Sequence, residues 1–253
     1  MNIKAIVVDL DRTLLHTDKT ISAYTKKILQ ECKKNSIKIM VATARPQRNT
    51  IPYCEQIGFD AVVVSNGARI LYGDQRTEYN ISSEIAVYLL TTLSKNPDMR
   101  ITVETGDCAY SNKRIEDYET VITDDLIEIA KREGVLKILV HLDHKDTLEI
   151  IKQVLPKELY YTIANGYLLQ IMSKHATKWN GIQEMLARVG CSPIETMYFG
   201  DDHDDIESLK MCGVGVAVSN AIEEAKEAAD YIAESNDADG VAKFIDNMIV
   251  LSL

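Results

Sequence analysis

The stretch VVDLDRTLL, Val7–Leu15, sets the frame for the whole chain. It continues an apolar run, IKAIVV (residues 3–8), whose β-branched residues read as a strand buried on both faces. The run stops at two carboxylates, Asp9 and Asp11, spaced i, i+2 and followed by Thr13. Two negative charges at the mouth of a buried strand repel, so their placement calls for a counter-charge.

Working outward, a helix is expected over about 22–35, with Ile21, Tyr24, Ile28 and Cys32 on one face and Ser22 as N-cap. The strand IKIMVAT (37–43) leads into a helix with Pro46 in its first turn, and the strand AVVVSN (61–66) follows. The same rhythm resumes near the C-terminus. Helices over about 177–189, 204–211, 221–229 and 239–249 alternate with the strands ETMYFG (195–200), VGVAV (214–218) and a short YIAE. Apolar strands between helices imply an α/β fold, a doubly wound parallel sheet covered on both faces. The middle differs: RITVET, LKILVHL and YYTIANGYLLQIM are separated by the helical stretches SSEIAVYLLTTL and DTLEIIKQVL. We expect a core built from residues 1–79 and 174–253, with an inserted α+β domain at 80–173. The expected boundaries are the polar turns near Gly73–Asn80 and Ser173–Thr177.

A formal charge of −10 argues against nucleic acid or an anionic membrane surface as a partner. An anionic small substrate stays open, because a bound divalent ion can invert the local field. Cys32, Cys54, Cys108, Cys191 and Cys212 are scattered and form no C-x-x-C pair, so reduced thiols are expected. The start MNIKAIVV lacks a signal-peptide layout, and no apolar run approaches the length of a membrane helix, so a soluble cytoplasmic protein is expected.

In open parallel sheets, ligands bind beyond the carboxyl ends of the strands. The polar groups at those ends are Asp9 and Asp11, then Thr43 and Arg45, then Ser65 and Asn66, then GDDHDD (200–205). Converging carboxylates need a cation, and hard oxygen ligands suit Mg²⁺, which also takes a phosphate oxygen. Asp9 could then attack phosphorus as a carboxylate nucleophile. Asp11 could protonate the leaving oxygen and later deprotonate water. Thr43 and a lysine would stabilise charge on the phosphoryl oxygens.

DLDRTLL resembles the first motif of the haloacid dehalogenase superfamily, D-x-D-x-T-L-L. VATARP is similar to the second motif, SKHATKWNGI to the lysine motif, and FGDDHDDIESLKMCGVGVAVSNA to the G-D-x-x-N-D region. Their order and the long insertion resemble Cof-type phosphatases, which carry an α+β (type IIB) cap. The resemblance implies Asp9 as nucleophile and Asp11 as acid/base, with Mg²⁺ held by Asp9, Asp11 and Asp201 and supported by Asp205. It implies Thr43, Ala44 and Lys178 at the phosphate and a small phosphorylated metabolite as partner; we also expect Leu10 and Asp204 at the phosphate and Arg45 and Asn66 at the substrate. The cap would close over the site and read the leaving group.

Departures from the family pattern are Ala44 in place of Gly, Ser219 opening the Ser-Asn-Ala tail, and Asp204 where Asn is usual. A carboxylate at 204 repels a phosphate dianion unless it is protonated, salt-bridged or turned onto the metal. Lys178 is preferred over Lys174 because it opens an amphipathic helix (Ile182, Met185, Leu186, Val189) that aims it inward. Asn66-Gly67 also reads as a turn requiring positive φ. His203 is expected in solvent, and Trp179, Tyr160, Tyr161 and Tyr167 as packing residues. The alternatives are a sugar phosphomutase on the same core and a phosphate- or metal-binding module without catalysis.

Overall fold

The opening apolar run becomes β1 (Ala5–Val8), with all four residues fully buried. The computed structural model describes residues 3–116, 118–164 and 166–248, and the chain divides into two units. One unit runs up to Thr77 and resumes at Thr177; the other is Glu78–Ala176.

In the first unit β1 is followed by α1 (Ala23–Lys34), capped by the Ser22 hydroxyl accepting from the Thr25 amide at 2.9 Å. Next come β2 (Lys38–Ala42), α2 (Gln47–Ile57) and β3 (Ala61–Val64). Pro46 sits at the N-cap of α2 rather than in its first turn, and Pro52 lies inside the helix. The sheet then departs from the expected all-parallel order. β4 (Arg69–Tyr72) pairs antiparallel with β3, and β5 (Gln75–Glu78) lies beside it at the edge. Gly73–Asn80, expected as a boundary turn, thus carries a strand. Gln-Arg-Thr-Glu has no apolar alternation because an edge strand buries little.

The second unit holds α3 (Ser83–Leu93), β6 (Ile101–Thr105), β7 (Ala109–Ser111), β8 (Val121–Ile122) and α4 (Leu126–Arg132). β9 (Val135–His141), α5 (Thr147–Val154), β10 (Leu159–Ala164) and β11 (Leu168–Ser173) complete it. YYTIANGYLLQIM is a hairpin of β10 and β11, with residue 165 outside the described residues. The sheet order is β10-β11-β9-β6-β7-β8. Ile101, Val103, Ile138, Val140, Leu169 and Ile171 form its apolar cluster with Leu89, Leu90, Ile129 and Ile151 from the helices. Tyr160 and Tyr161 are half-buried, whereas Tyr167 is half exposed beside the His141 ring instead of packed.

The first unit resumes with α6 (Lys178–Val189), β12 (Thr196–Gly200), α7 (Ile206–Met211) and β13 (Val214–Val218). It ends with α8 (Glu223–Ala228), β14 (Tyr231–Ala233) and α9 (Gly240–Met248); position 249 of the expected last helix lies outside the described residues. Its sheet runs β14-β13-β12-β1-β2-β3-β4-β5, and every pairing from β14 to β3 is parallel. β1 pairs with β12 on one side and β2 on the other, which sets the crevice for ligands at its carboxyl end. Trp179 is buried, and the five cysteines are free thiols. No described helix is long and apolar enough to cross a membrane.

Candidate active site

Asp9 leaves β1, Thr43 leaves β2, Ser65 leaves β3 and Asp201 leaves β12, so parallel strands deliver them to one end of the sheet. The centre is Lys178, which is 4% exposed at the start of α6. Its Nζ donates to Asp9 Oδ1 at 2.9 Å and to Asp205 Oδ1 at 2.7 Å. Asp204 Oδ2 lies 3.8 Å from the same nitrogen.

Two glycines make this approach feasible. Gly67 has φ +93°, and a Cβ there would lie 2.0 Å from the Thr177 carbonyl oxygen, next to Lys178. At Gly200 a Cβ would fall 2.5 Å from Asp205 Cβ, so only glycine lets that carboxylate fold back over β12. Ser65 and Asn66 join Gly67 in the left-handed region, with φ of 52° and 56°. Strain of this kind persists where surrounding structure over-determines it, commonly at functional sites. The turn aims the Asn66 amide at Asp204 Oδ2, which accepts its hydrogen bond. Asp204 is therefore engaged by Asn66 and lies within ion-pair range of Lys178. His203, one residue earlier, is exposed.

Asp205 is fully buried, and both of its oxygens are occupied. Oδ1 accepts from Lys178 and from the Tyr198 hydroxyl at 2.5 Å; Oδ2 accepts from the amides of Asp201 and Asp202 at 2.9 and 3.0 Å. These donors outweigh the cost of burial and hold its pKa below the usual carboxylate value. Burial pushes the Asp9 pKa well up, and Asp205 and Asp201 add to this against Lys178. Burial, then Asp205, raise Asp201 to about 7, while the Thr13 hydroxyl, donating at 2.9 Å, opposes them. Burial alone would lower the Lys178 pKa, but Asp205 and Asp9 raise it well above normal.

The acids are thus under-compensated by Lys178. Carboxylate oxygens of Asp9, Asp201 and Asp205 all lie within 4.8 Å of one another. Buried hard oxygen donors with excess negative charge fit Mg²⁺. Asp205, whose lone pairs already serve four donors, suits a supporting place.

Asp11 is held differently. Arg45 donates from Nε to Oδ2 at 2.5 Å and from Nη2 to Oδ1 at 2.6 Å, while Lys19 donates to Oδ1 at 2.7 Å. Burial raises its pKa, but these bonds prevail and the net shift is downward. The Arg45 guanidinium also sits 5.2 Å over the Tyr53 ring. Thr43 Oγ1, 1% exposed, accepts from the Arg45 amide at 3.2 Å, so its own proton stays available for an acceptor. Leu10, buried, and Ala44, half-buried, flank these groups in the chain.

A model of the haloacid dehalogenase-like hydrolases matches residues 6–245. The chain belongs to that family. This hydrolase is 29% identical over 268 residues to a Streptococcus pyogenes (serotype M6) protein provisionally named a phosphatase, covering 97% of this chain and 98% of that one. It is 27% identical over 260 residues to 5-amino-6-(5-phospho-D-ribitylamino)uracil phosphatase YitU of Bacillus subtilis, covering 95% of each. Its fold matches a haloacid dehalogenase-like hydrolase from Bacteroides thetaiotaomicron with a TM-score of 0.87 at 24% identity, over 98% of this chain and all of that one.

Sequence reasoning missed four participants in this hydrolase's site. Tyr198 is hidden in an apolar strand whose side-chain hydroxyl carries no periodic signal. Lys19 reaches Asp11 from a turn in which it has φ of 67°. Thr13 was visible in its motif without a partner, and Arg12 carried no signal beyond its charge.

Proposed function

We propose that this hydrolase is a Mg²⁺-dependent phosphatase that cleaves a small phosphorylated metabolite through an aspartyl-phosphate on Asp9. The observation that carries the reading is the buried Asp9–Lys178–Asp205 array beside Asp201. Lys178 engages Asp9 at Oδ1, which leaves Oδ2 as the attacking oxygen.

Asp9, Asp201 and the Asp11 carbonyl would hold the metal, with Asp205 fixing the shell from behind. When bound, Mg²⁺ neutralises charge on the phosphoryl oxygens. Asp9 Oδ2 forms a bond to phosphorus as the bond to the leaving oxygen breaks, and Asp11 supplies that oxygen with a proton. Water then attacks the aspartyl-phosphate, Asp11 takes a proton from it, and Asp9 is regenerated as inorganic phosphate departs. Paired with Arg45 and Lys19, Asp11 is ionised, which suits the base step; the acid step requires those cations to release it. Lys178, the Thr43 hydroxyl and the backbone at Leu10 and Ala44 hold the transferring group. Arg45 and Asn66 border the substrate, and Asp204, hydrogen-bonded by Asn66, stays within reach of the phosphate's lysine.

YitU's name specifies a phosphorylated ribityl compound, which supports a polyhydroxylated phosphate monoester as the substrate class. The test is release of free phosphate from p-nitrophenyl phosphate and from a panel of sugar phosphates and phosphorylated cofactors, with Mg²⁺ or with EDTA. Wild type releases phosphate with Mg²⁺ only, and Asp9→Asn releases none. Full turnover by Asp9→Asn removes the mechanism; an isomerised sugar phosphate without release indicates a mutase.

A further inference from the structure

Arg12 is a second cation at this site, beside Asp201. Its backbone is left-handed, with φ 60° and ψ 6°. Glycine adopts that conformation freely, whereas a residue with a Cβ is strained in it. The strain is held by a reciprocal clasp. Arg12 Nη2 donates to the Asn220 carbonyl at 2.9 Å, and Asn220 Nδ2 donates to the Arg12 carbonyl at 2.7 Å. Asn220 is itself fixed, accepting at Oδ1 from the Asn236 amide at 2.9 Å. The clasp places Arg12 Nε 3.7 Å from Asp201 Oδ2, while Thr13 occupies Oδ1. The Arg12 side chain is 61% exposed and that of Asp201 is 5% exposed, so an exposed guanidinium sits beside a buried carboxylate.

We infer that Arg12 is a built-in competitor for the metal: it supplies Asp201 with a monovalent counter-charge and weakens Mg²⁺ binding there. The inference rests on the proposed reading of Asp201 as a metal ligand. A divalent ion binding Asp201 meets a fixed positive charge beside the same carboxylate, and the two repel. Of the clasp's two bonds, the one from Asn220 Nδ2 to the Arg12 carbonyl needs no guanidinium, whereas the Nη2 bond goes with the side chain. The charge itself therefore acts on the metal, while the Nη2 bond also serves the fold.

The test is calorimetric titration of MgCl₂ into metal-free protein without substrate. Arg12→Gly and Arg12→Asn both remove the charge and both tolerate a left-handed backbone. Each is expected to bind Mg²⁺ about three- to tenfold more tightly than wild type, and the gap shrinks at high ionic strength. Arg12→Lys keeps the charge and stays within about twofold of wild type. Neutral variants that bind Mg²⁺ no more tightly than wild type overturn the assignment of Arg12 while leaving the metal site standing. Asp201→Asn that binds Mg²⁺ as wild type does overturns the metal reading itself, and Arg12's role with it.

Discussion

Arg45 grips Asp11 through two parallel contacts, Nε to Oδ2 at 2.5 Å and Nη2 to Oδ1 at 2.6 Å, across 34 residues of chain. This geometry locks an acid/base candidate in its ionised form. It also gives Asp11 a sign that differs from that of its neighbours Asp9 and Asp201: its pKa is lowered and theirs are raised.

Replacing Arg45 by Gln raises the Asp11 pKa, read from the carboxyl-carbon titration of Asp11 by NMR. A lowered carboxylate pKa supports the fold above the unfolded value and loses that support as pH falls through the folded one. Arg45→Gln therefore destabilises by about 1 kcal/mol near neutral pH, a figure discounted for the exposure of Asp11. The penalty fades below the ordinary carboxylate range.

Lys178→Met leaves Asp9 and Asp205 buried without their cation. Denaturant midpoints should fall by the equivalent of about 3–5 kcal/mol. Turnover should drop by at least about a hundredfold, as when a single oxyanion donor is removed. A stable, active Lys178→Met contradicts the central place of this residue.

Asp201 behaves oppositely to Asp11. Its pKa is raised to about 7, so the folded, metal-free protein holds a proton that the unfolded chain has already lost. Its contribution to stability is present at low pH and disappears as pH rises through that value. Thermal melts in EDTA should show a fall in melting temperature from about pH 5 to about pH 8 that is smaller in Asp201→Asn. Added Mg²⁺ should reverse the fall, with a stabilisation that grows with pH, because the metal binds the ionised form.

Asp204→Asn removes a negative charge 3.8 Å from Lys178 while keeping a side chain that Asn66 can hydrogen-bond. The KM for a phosphate monoester should fall about three- to tenfold with kcat little changed. An unchanged KM means that Asn66 already screens this carboxylate.

What was legible in the sequence was whatever a buried strand reveals by ending. Asp9, Thr43 and Asp201 each follow an apolar run, and Lys178 opens an amphipathic helix that points it inward. Strand β5 was hidden because Gln75–Glu78 is polar throughout. The bond between Arg45 and Asp11 joins distant residues that no local pattern links. Asp204 read as a repulsive charge because its partner, Asn66, lies 138 residues away in a turn whose positive φ does not reveal the side chain's target. Arg12 was invisible for a related reason: its role depends on a left-handed backbone and on an asparagine 208 residues away.

The most direct measurement is acid quenching during turnover of p-nitrophenyl phosphate, followed by peptide mass spectrometry. The predicted result is one phosphoryl group on Asp9, formed only with Mg²⁺, removed by hydroxylamine and absent from Asp9→Asn. Phosphate released at the full rate with no acyl-phosphate at Asp9, or with the phosphoryl group on another residue, contradicts the account.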